Sequence, residues 1–496
     1  MAVDMSVLSD YRILAAPAIL YTVFRALQAV YRLYFHPLAK FRGPRAAGIS
    51  SSWLDKVAYA GNPEEVFEKL HEELDTRALR IAPNELHISD VNLYKVIYNQ
   101  AKPFPKHPDF YKQFNTPHTL TTENDERVHK ELRKLLNPLF SRAGYTKLEP
   151  VVLEKIYAMG AKIKRIAPAG PINMDNASRC MTADIISEFA FGQSFNLIDE
   201  SPNSFDSTIL DALNQGSRGV TELYHHDFLR FAAHFFPRAV TGLFNPTIKA
   251  LAQILNLAAS CVEAHKQRSK TASHPVIFDN LASVSLQIQN NQALEMLIAG
   301  SDTTAQTITM ALHYILGNPR IKDKLTAVAH EIVKDPATLP TFTELDQNEY
   351  LPNQRAVVKE ALRMAMPVPG MLRRVVPKTS TPFSVDGQVV PPGTVVGMSA
   401  YTMHYCTDVW GADAKEFNPD RWLGSKAAGM ETYFATFSKG ARSCIGMNVA
   451  QAEVTMALAY LFRAFRMELK PSVMKYEDMF TTRMVDCGVM VNFEPL

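Results

Sequence analysis

The segment FSKGARSCIG, Phe437 to Gly446, runs directly into MNVAQAEVTMALAYLFRAF, and this junction limits the possible folds more than any other stretch. Val449, Ala452, Met456 and Ala459 recur at helical spacing, which predicts a helix with one apolar face. Cys444 therefore sits at the mouth of a helix, where unpaired N–H groups and the positive dipole end favour a thiolate over a thiol. Gly440 permits a tight bend, and Gly446, lacking a Cβ, lets a flat ligand approach the backbone. Arg442, two residues before the sulfur, can reach an anionic group at the edge of that ligand. An isolated cysteine at a helix start is more often a small apolar core residue. Phe, Gly, Arg, Cys and Gly at these five offsets, however, arise by chance with a probability on the order of 10⁻⁵ to 10⁻⁴, so the constellation outweighs that reading.

The loop resembles the haem-binding loop of the cytochrome P-450 family. The resemblance implies haem b with its iron axially ligated by Cys444, making this residue both the metal ligand and a cofactor-binding residue. Three further segments fit the same family in order. In LIAGSDTTAQTITMALHYIL, Leu297 to Leu316, length and apolar density predict a helix, although Gly300, Asp302 and Thr303 lie mid-run against propensity. Gly300 and Thr303 share a stripe with Met296, Thr307 and Met310. Read alone, Thr303 bonds back to the Ala299 carbonyl, and Asp302, aligned with Glu295 and Gln306, is a solvated face. AGSDTT is similar to the family's oxygen-binding helix, and this implies that Asp302 and Thr303 are catalytic, delivering protons during dioxygen activation.

Glu360 and Arg363, at i and i+3 in RAVVKEALRMAMPVPG, can pair on a helix that Pro367 and Pro369 end. Arg421 in FNPDRW completes the family's Glu-Arg-Arg network, and all three are read as structural. His129 and Arg133 share a helix face in ERVHKELRKLLNPLFS. The family commonly has Trp where His129 stands, a departure that leaves its role open, while Arg133 is implied to contact a haem propionate. Arg374 in LRRVVP aligns with another propionate-binding arginine, with adjacent Arg373 as the rival.

The resemblance runs from His36 to the C-terminus and implies a mainly α fold with small β-sheets, a single catalytic domain over residues 46–496. ALRIAPNELHIS and FSVDGQVVPPGTVV predict strand hairpins turning at Pro83–Asn84 and Asp386–Gly387. A hydrophobic fraction of 47% and a charged fraction of 21% set disorder and coiled coils aside. The balance of 52 basic against 50 acidic residues gives no reason to expect nucleic acid as a partner. Five dispersed cysteines, without a CxxC pair, point to a reducing compartment rather than a disulfide framework.

Residues 1–35 are expected to form an N-terminal membrane anchor, followed by a Pro-containing hinge at residues 36–45. The apolar run from Ile13 continues to Phe35, interrupted by Arg25, Gln28 and Arg32, so a tilted span and an interfacial helix are both compatible with it. Six basic residues and no acid between Tyr11 and Arg45 favour a catalytic domain on the cytosolic side. The resemblance implies the endoplasmic reticulum membrane.

No GxGxxG unit is present to bind a dinucleotide. Electrons from NADPH must then arrive through a partner, implied to be an NADPH-cytochrome reductase, for which Lys130, Arg133, Lys134, Lys439 and Arg442 offer a basic docking face. Met366, Val368, Met371, Leu372, Met479 and Phe480 predict an apolar pocket for a small-molecule substrate such as a terpenoid, polyketide or alkaloid. The phrasing YRLYFHPLAKF looks like that of fungal specialised-metabolism members, such as trichodiene oxygenase-like proteins. Two other classes stay open: a haem-thiolate isomerase or dehydratase that uses no dioxygen, and a haem protein without catalysis.

Overall fold

The computed structural model describes residues 11–225, 246–268, 272–347, 352–425, 427–471, 474–485 and 488–496. The longer helices are α1 (Tyr11–Val30), α2 (Glu126–Phe140), α3 (Arg142–Ile166), α4 (Met174–Phe191), α5 (Thr208–His225), α6 (Pro246–Lys266), α7 (Leu286–Leu316), α8 (Pro319–Ile332), α9 (Pro352–Ala365) and α10 (Met447–Ala464). Their ends follow local chemistry. The side chains of Asp125, Asn173 and Ser285 accept backbone N–H groups in the first turns of α2, α4 and α7, which satisfies donors a helix leaves orphaned. α9 stops at Ala365, before Pro367, with Met366 at φ 37°.

α7 is the central element, lying against α4, α6, α9 and α10. Its buried Leu297, Ile308, Leu312 and Ile315 join Met181 and Phe189 of α4 and Leu458 and Leu461 of α10 in one apolar core. Such burial, at roughly 25 cal/mol per Å² of apolar surface, is what allows Gly300 and four threonines to persist in a long helix despite weak propensity. A Cβ on Gly300 would lie 2.5 Å from Ile186 of α4, so glycine here permits the two helices to approach.

The strands are β1 (Ala78–Ala82), β2 (Glu85–Ile88), β3 (Ile172–Asn173), β4 (Arg374–Val375), β5 (Ser384–Val385), β6 (Gln388–Val389), β7 (Val395–Gly397), β8 (Phe465–Leu469), β9 (Lys475–Met479), β10 (Thr481–Val485) and β11 (Met490–Pro495). Both expected hairpins form, β1–β2 across Pro83–Asn84 and β5–β6 across Asp386–Gly387. The principal sheet has the order β1-β2-β7-β4, with β2 and β7 parallel. It covers a second apolar cluster containing Leu38, Leu86, Ile88, Val396 and Met398.

Of the two forms expected for the anchor at residues 1–35, the span finds no support: among the described residues no helix is long and apolar enough to cross a membrane. α1 runs unbroken through Pro17 and Arg25, and Arg32 in the following turn donates to the Ile49 carbonyl at 2.6 Å, tying this end to the domain. Apolar side chains are nevertheless exposed here, Leu20 by 69% and Phe35 by 72%. Residues 1–10 of the expected anchor, and Cys487, lie outside the described residues; Cys180, Cys261, Cys406 and Cys444 are unbridged.

Candidate active site

α10 begins at Met447, three residues after Cys444, and buries Val449, Ala452, Met456 and Ala459 as their spacing predicts. A short 3-10 turn, Gly440–Arg442, bends the chain ahead of it. Gly440 has φ +76°, and a Cβ there would sit 2.3 Å from the Tyr98 carbonyl oxygen, so only glycine fits. The Cys444 N–H donates to the Phe437 carbonyl at 2.8 Å, closing the loop. Its sulfur opens onto a cavity of about 380 Å³ bounded by this loop, α2, α7 and the β9–β10 turn.

The thiol departs from expectation. Burial pushes its pKa up, and the Gly446 N–H and the Arg133 charge only oppose that shift. Desolvation thus outweighs the helix terminus even though the side chain is exposed to the cavity.

Lys106, His129, Arg133, Arg374 and Arg442 all line this cavity. The partners of the four cations are neutral oxygens. Lys106 donates to the Thr121 carbonyl (2.6 Å), Arg133 to that of Ser443 (2.6 Å), Arg442 to that of Glu123 (2.8 Å), and Arg374 to the Tyr111 hydroxyl (2.6 Å). The Nε of Arg374 is buried without any partner. Burial and then the Arg442 charge push the Lys106 ammonium well below its ordinary value. The same causes, burial first, hold His129 down at about 3, so this buried imidazole is neutral at physiological pH. Cations crowded together with only neutral hydrogen-bond partners are costly unless an anion enters, and the nearby Glu295 and Glu123 charges offset this only in part for Lys106. These residues fit the haem implied by the sequence, whose propionates would meet the cations while Cys444 faces its iron.

Arg373 points elsewhere, pairing with Glu85 at 2.6 Å, which decides for Arg374 as the cavity residue. Arg133 and Arg442 turn inward, and Lys439 donates to the Glu431 carbonyl at 2.9 Å, so Lys130 and Lys134 are what remains outward of the expected basic face.

α7 divides its motif between two cavities. Thr303 lines the Cys444 cavity, and its hydroxyl donates to the Ala299 carbonyl at 2.8 Å. Asp302 lies on the other side, beside a small polar cavity with Asn173, Asp175, Asn214 and Gln306. Its carboxylate accepts from Arg179 Nη2 at 2.8 Å and Nε at 3.1 Å. The solvated-face reading fails for all three acidic and amide positions: Asp302 is paired, Gln306 is buried, and Glu295 lines the Cys444 cavity. Val368, Leu372, Met479 and Phe480 line this cavity, whereas Met366 and Met371 are buried outside it. Lys106 belongs to no motif, and the roles of Arg179 and Glu295 escaped sequence reading because each acts through a distant partner; for Glu295 and Thr121 the separation is 174 residues.

Glu360 and Arg363 are each fully buried and joined by bonds of 2.8 and 2.9 Å. Glu360 also accepts from Arg421 (3.1 Å), the Trp422 indole (2.8 Å) and the Asn418 N–H (2.9 Å). Arg363 reaches the His404, Ala414 and Glu416 carbonyls. The trio is a closed structural network, not a surface pair.

The family model described as Cytochrome P-450 matches residues 50–488. The chain is 29% identical to cytochrome P-450 monooxygenase macH of Penicillium terrestre, covering 92% of this chain and 93% of that protein. It is 31% identical to cytochrome P-450 monooxygenase sdnE of Sordaria araneosa, covering 93% of each. With tryptophan 6-hydroxylase fscE of Fusarium equiseti it shares 29% identity over 89% of this chain and 88% of that one. Among solved structures, the cytochrome P450DA heme domain superposes with a TM-score of 0.73 at 17% identity, covering 89% of this chain and 95% of that chain.

Proposed function

The chain belongs to the cytochrome P-450 family and is a monooxygenase, and from that premise we propose that Cys444 ligates haem b and that the enzyme oxidises an apolar small molecule. The substrate belongs to fungal secondary metabolite biosynthesis, as a terpenoid, polyketide or alkaloid, and the electrons come from NADPH through a reductase. The observation that carries this reading is one cavity holding the cysteine sulfur, Thr303 and a cluster of cations that have only neutral partners.

A thiolate-ligated haem, when bound, supplies dioxygen activation, because the electron-rich axial ligand favours O–O cleavage. Arg133, Arg374 and Arg442, with Lys106 and neutral His129, would hold its propionates; the orphaned Arg374 Nε supports this assignment. Thr303 keeps a hydroxyl proton at the cavity surface, bonded to the Ala299 carbonyl, from which it can be turned toward the reacting oxygen. Asp302 holds its carboxylate on the polar side of α7 in the grip of Arg179. Its part in proton delivery therefore requires the ion pair to loosen. Phe114, Leu120, Leu294, Ile298 and Phe480 exclude water from the substrate space.

The reading extends to the endoplasmic reticulum membrane, with the catalytic domain facing the cytosol. The exposed apolar side chains from Ile19 to Phe35 support an interfacial attachment in preference to a span. Lys130 and Lys134 support docking of an acidic NADPH-cytochrome reductase.

The test is reconstitution with that reductase, NADPH and isotopically labelled dioxygen against panels of the three substrate classes. One labelled oxygen atom per product is expected. Turnover that needs neither reductase nor dioxygen would contradict the proposal and select the isomerase or dehydratase reading.

A further inference from the structure

α7 brings a carboxylate into the wall of the Cys444 cavity, at a stretch that also holds apolar Leu120, Leu294 and Ile298. Glu295 lies about two turns before Thr303 on the same helix and lines the same cavity. Its Oε1 accepts the Thr121 N–H at 2.9 Å and the Thr121 hydroxyl at 2.6 Å. The carbonyl of Thr121 is taken by Lys106, whose ammonium also stands 4.6 Å from the Tyr111 ring centre. One turn earlier, Gln292 accepts the Leu120 N–H at 3.1 Å. The segment 120–121 is thus pinned to α7 through one oxygen of Glu295 and through Gln292.

Pinning leaves the second oxygen unexplained. Glu295 Oε2 is buried and accepts no formed hydrogen bond, the nearby Thr119 hydroxyl being paired with that of Thr122 at 2.9 Å, although a carboxylate offers about four acceptor sites in all. An amide would serve the Thr121 contacts without a charge, as Gln292 does for Leu120. Apolar Leu120, Leu294 and Ile298 surround the acid in the cavity wall. Burial pushes its pKa up, against the Thr119 and Thr121 hydroxyls and the Lys106 charge. A donor reaching Oε2 would relieve that penalty, and the soft terminal torsion of glutamate lets the group adjust to meet it.

Resting on the haem-monooxygenase reading of the same cavity, we propose that Glu295 is its polar substrate anchor, receiving a hydroxyl, N–H or ammonium group of an otherwise apolar molecule. The anchor fixes one end of the substrate and so selects which carbon faces the reaction centre. It is a specificity-determining contact within the known reaction, and it favours donors and cations while disfavouring anions.

The haem-loaded full chain is tested by equilibrium dialysis with 1-dodecanol, dodecylammonium and tridecanoate, which share one dodecyl tail and differ only in the head. Wild type should bind the alcohol and the ammonium about 10-fold or more tighter than the carboxylate, roughly a 1.4 kcal/mol difference. Glu295→Gln, which keeps the Thr121 contacts, should lose the ammonium preference and retain the alcohol. Glu295→Leu should lose both preferences, and Glu295→Asp should restore the wild-type order. The reduced carbon monoxide spectrum is recorded on the same samples. Unchanged head-group ratios in the Gln and Leu variants, with the thiolate band intact, would overturn the anchor and leave the haem reading standing. Absence of the band from wild type would overturn the haem reading and the anchor with it.

Discussion

Arg363 and Arg374 are both buried and close in sequence, yet they occupy opposite electrostatic settings. Arg363 spends its donors on the Glu360 carboxylate and on three carbonyls, and Glu360 in turn accepts from Arg421, Trp422 and Asn418. Arg374 meets a tyrosine hydroxyl and its neighbour's carbonyl, and leaves Nε empty beside Lys106, Arg133 and Arg442. The first arrangement is complete within the chain and can only hold structure. The second is incomplete within the chain and calls for an anion from outside. A buried arginine's purpose is thus read from what remains unsatisfied around it.

Breaking the complete network should have the largest effect. Glu360→Ala removes the carboxylate paired with buried Arg363 and leaves Arg421 with Asp413 alone, and a loss of about 3–5 kcal/mol is expected, measured as a lowered midpoint in urea unfolding of the haem-loaded protein. A stable, folded Glu360→Ala variant would remove the distinction between the two clusters.

Glu453 sharpens the contrast, because it is a buried carboxyl on α10 whose Oε2 has no partner and whose pKa burial alone raises to about 8. Its unfolded value is about 4.3, so between these pH values the folded state holds the extra proton. Stability attributable to this group is therefore intact at low pH and lost as pH rises toward 8. Glu453→Gln should flatten the decline of unfolding free energy by a few kcal/mol between pH 5 and pH 8. A slope equal to wild type would show that this acid is ionised in the fold.

Opening the incomplete cluster should cost cofactor rather than fold. Arg374→Leu is expected to weaken haem retention about 10-fold to 100-fold, read from the rate of haem transfer to a scavenging apoprotein, with far-ultraviolet dichroism unchanged. Collapse of the fold instead would make Arg374 structural. The smallest change is expected from Thr303→Ala, with stability within about 0.5 kcal/mol of wild type and a lower ratio of product formed to NADPH consumed. An unchanged ratio would remove Thr303 from proton delivery.

Much of this contrast was legible in the sequence because the informative residues act locally. The Cys444 loop is a contiguous motif whose glycines answer to backbone geometry, and α9 ends where Pro367 forbids continuation. The hairpin turns at Pro83–Asn84 and Asp386–Gly387 are likewise fixed by neighbouring residues. The rest depends on contacts between distant segments. Asp302 reads as a solvated position until Arg179 is seen beside it, and Glu295 does so until Thr121 arrives from the segment before α2. Helical position alone does not say which side of α7 faces which cavity. The thiol pKa of Cys444 shows the same limit, since the loop and helix start are visible in sequence and the burial that prevails over them is not.

The central claim is that Cys444 ligates a haem iron as a thiolate, and the carbon monoxide difference spectrum of the reduced full chain tests it most directly. The account predicts a strongly red-shifted Soret band in wild type and its loss in Cys444→Ser. Folded, haem-loaded wild type without that band, or a Cys444→Ser protein that retains it, would contradict the account.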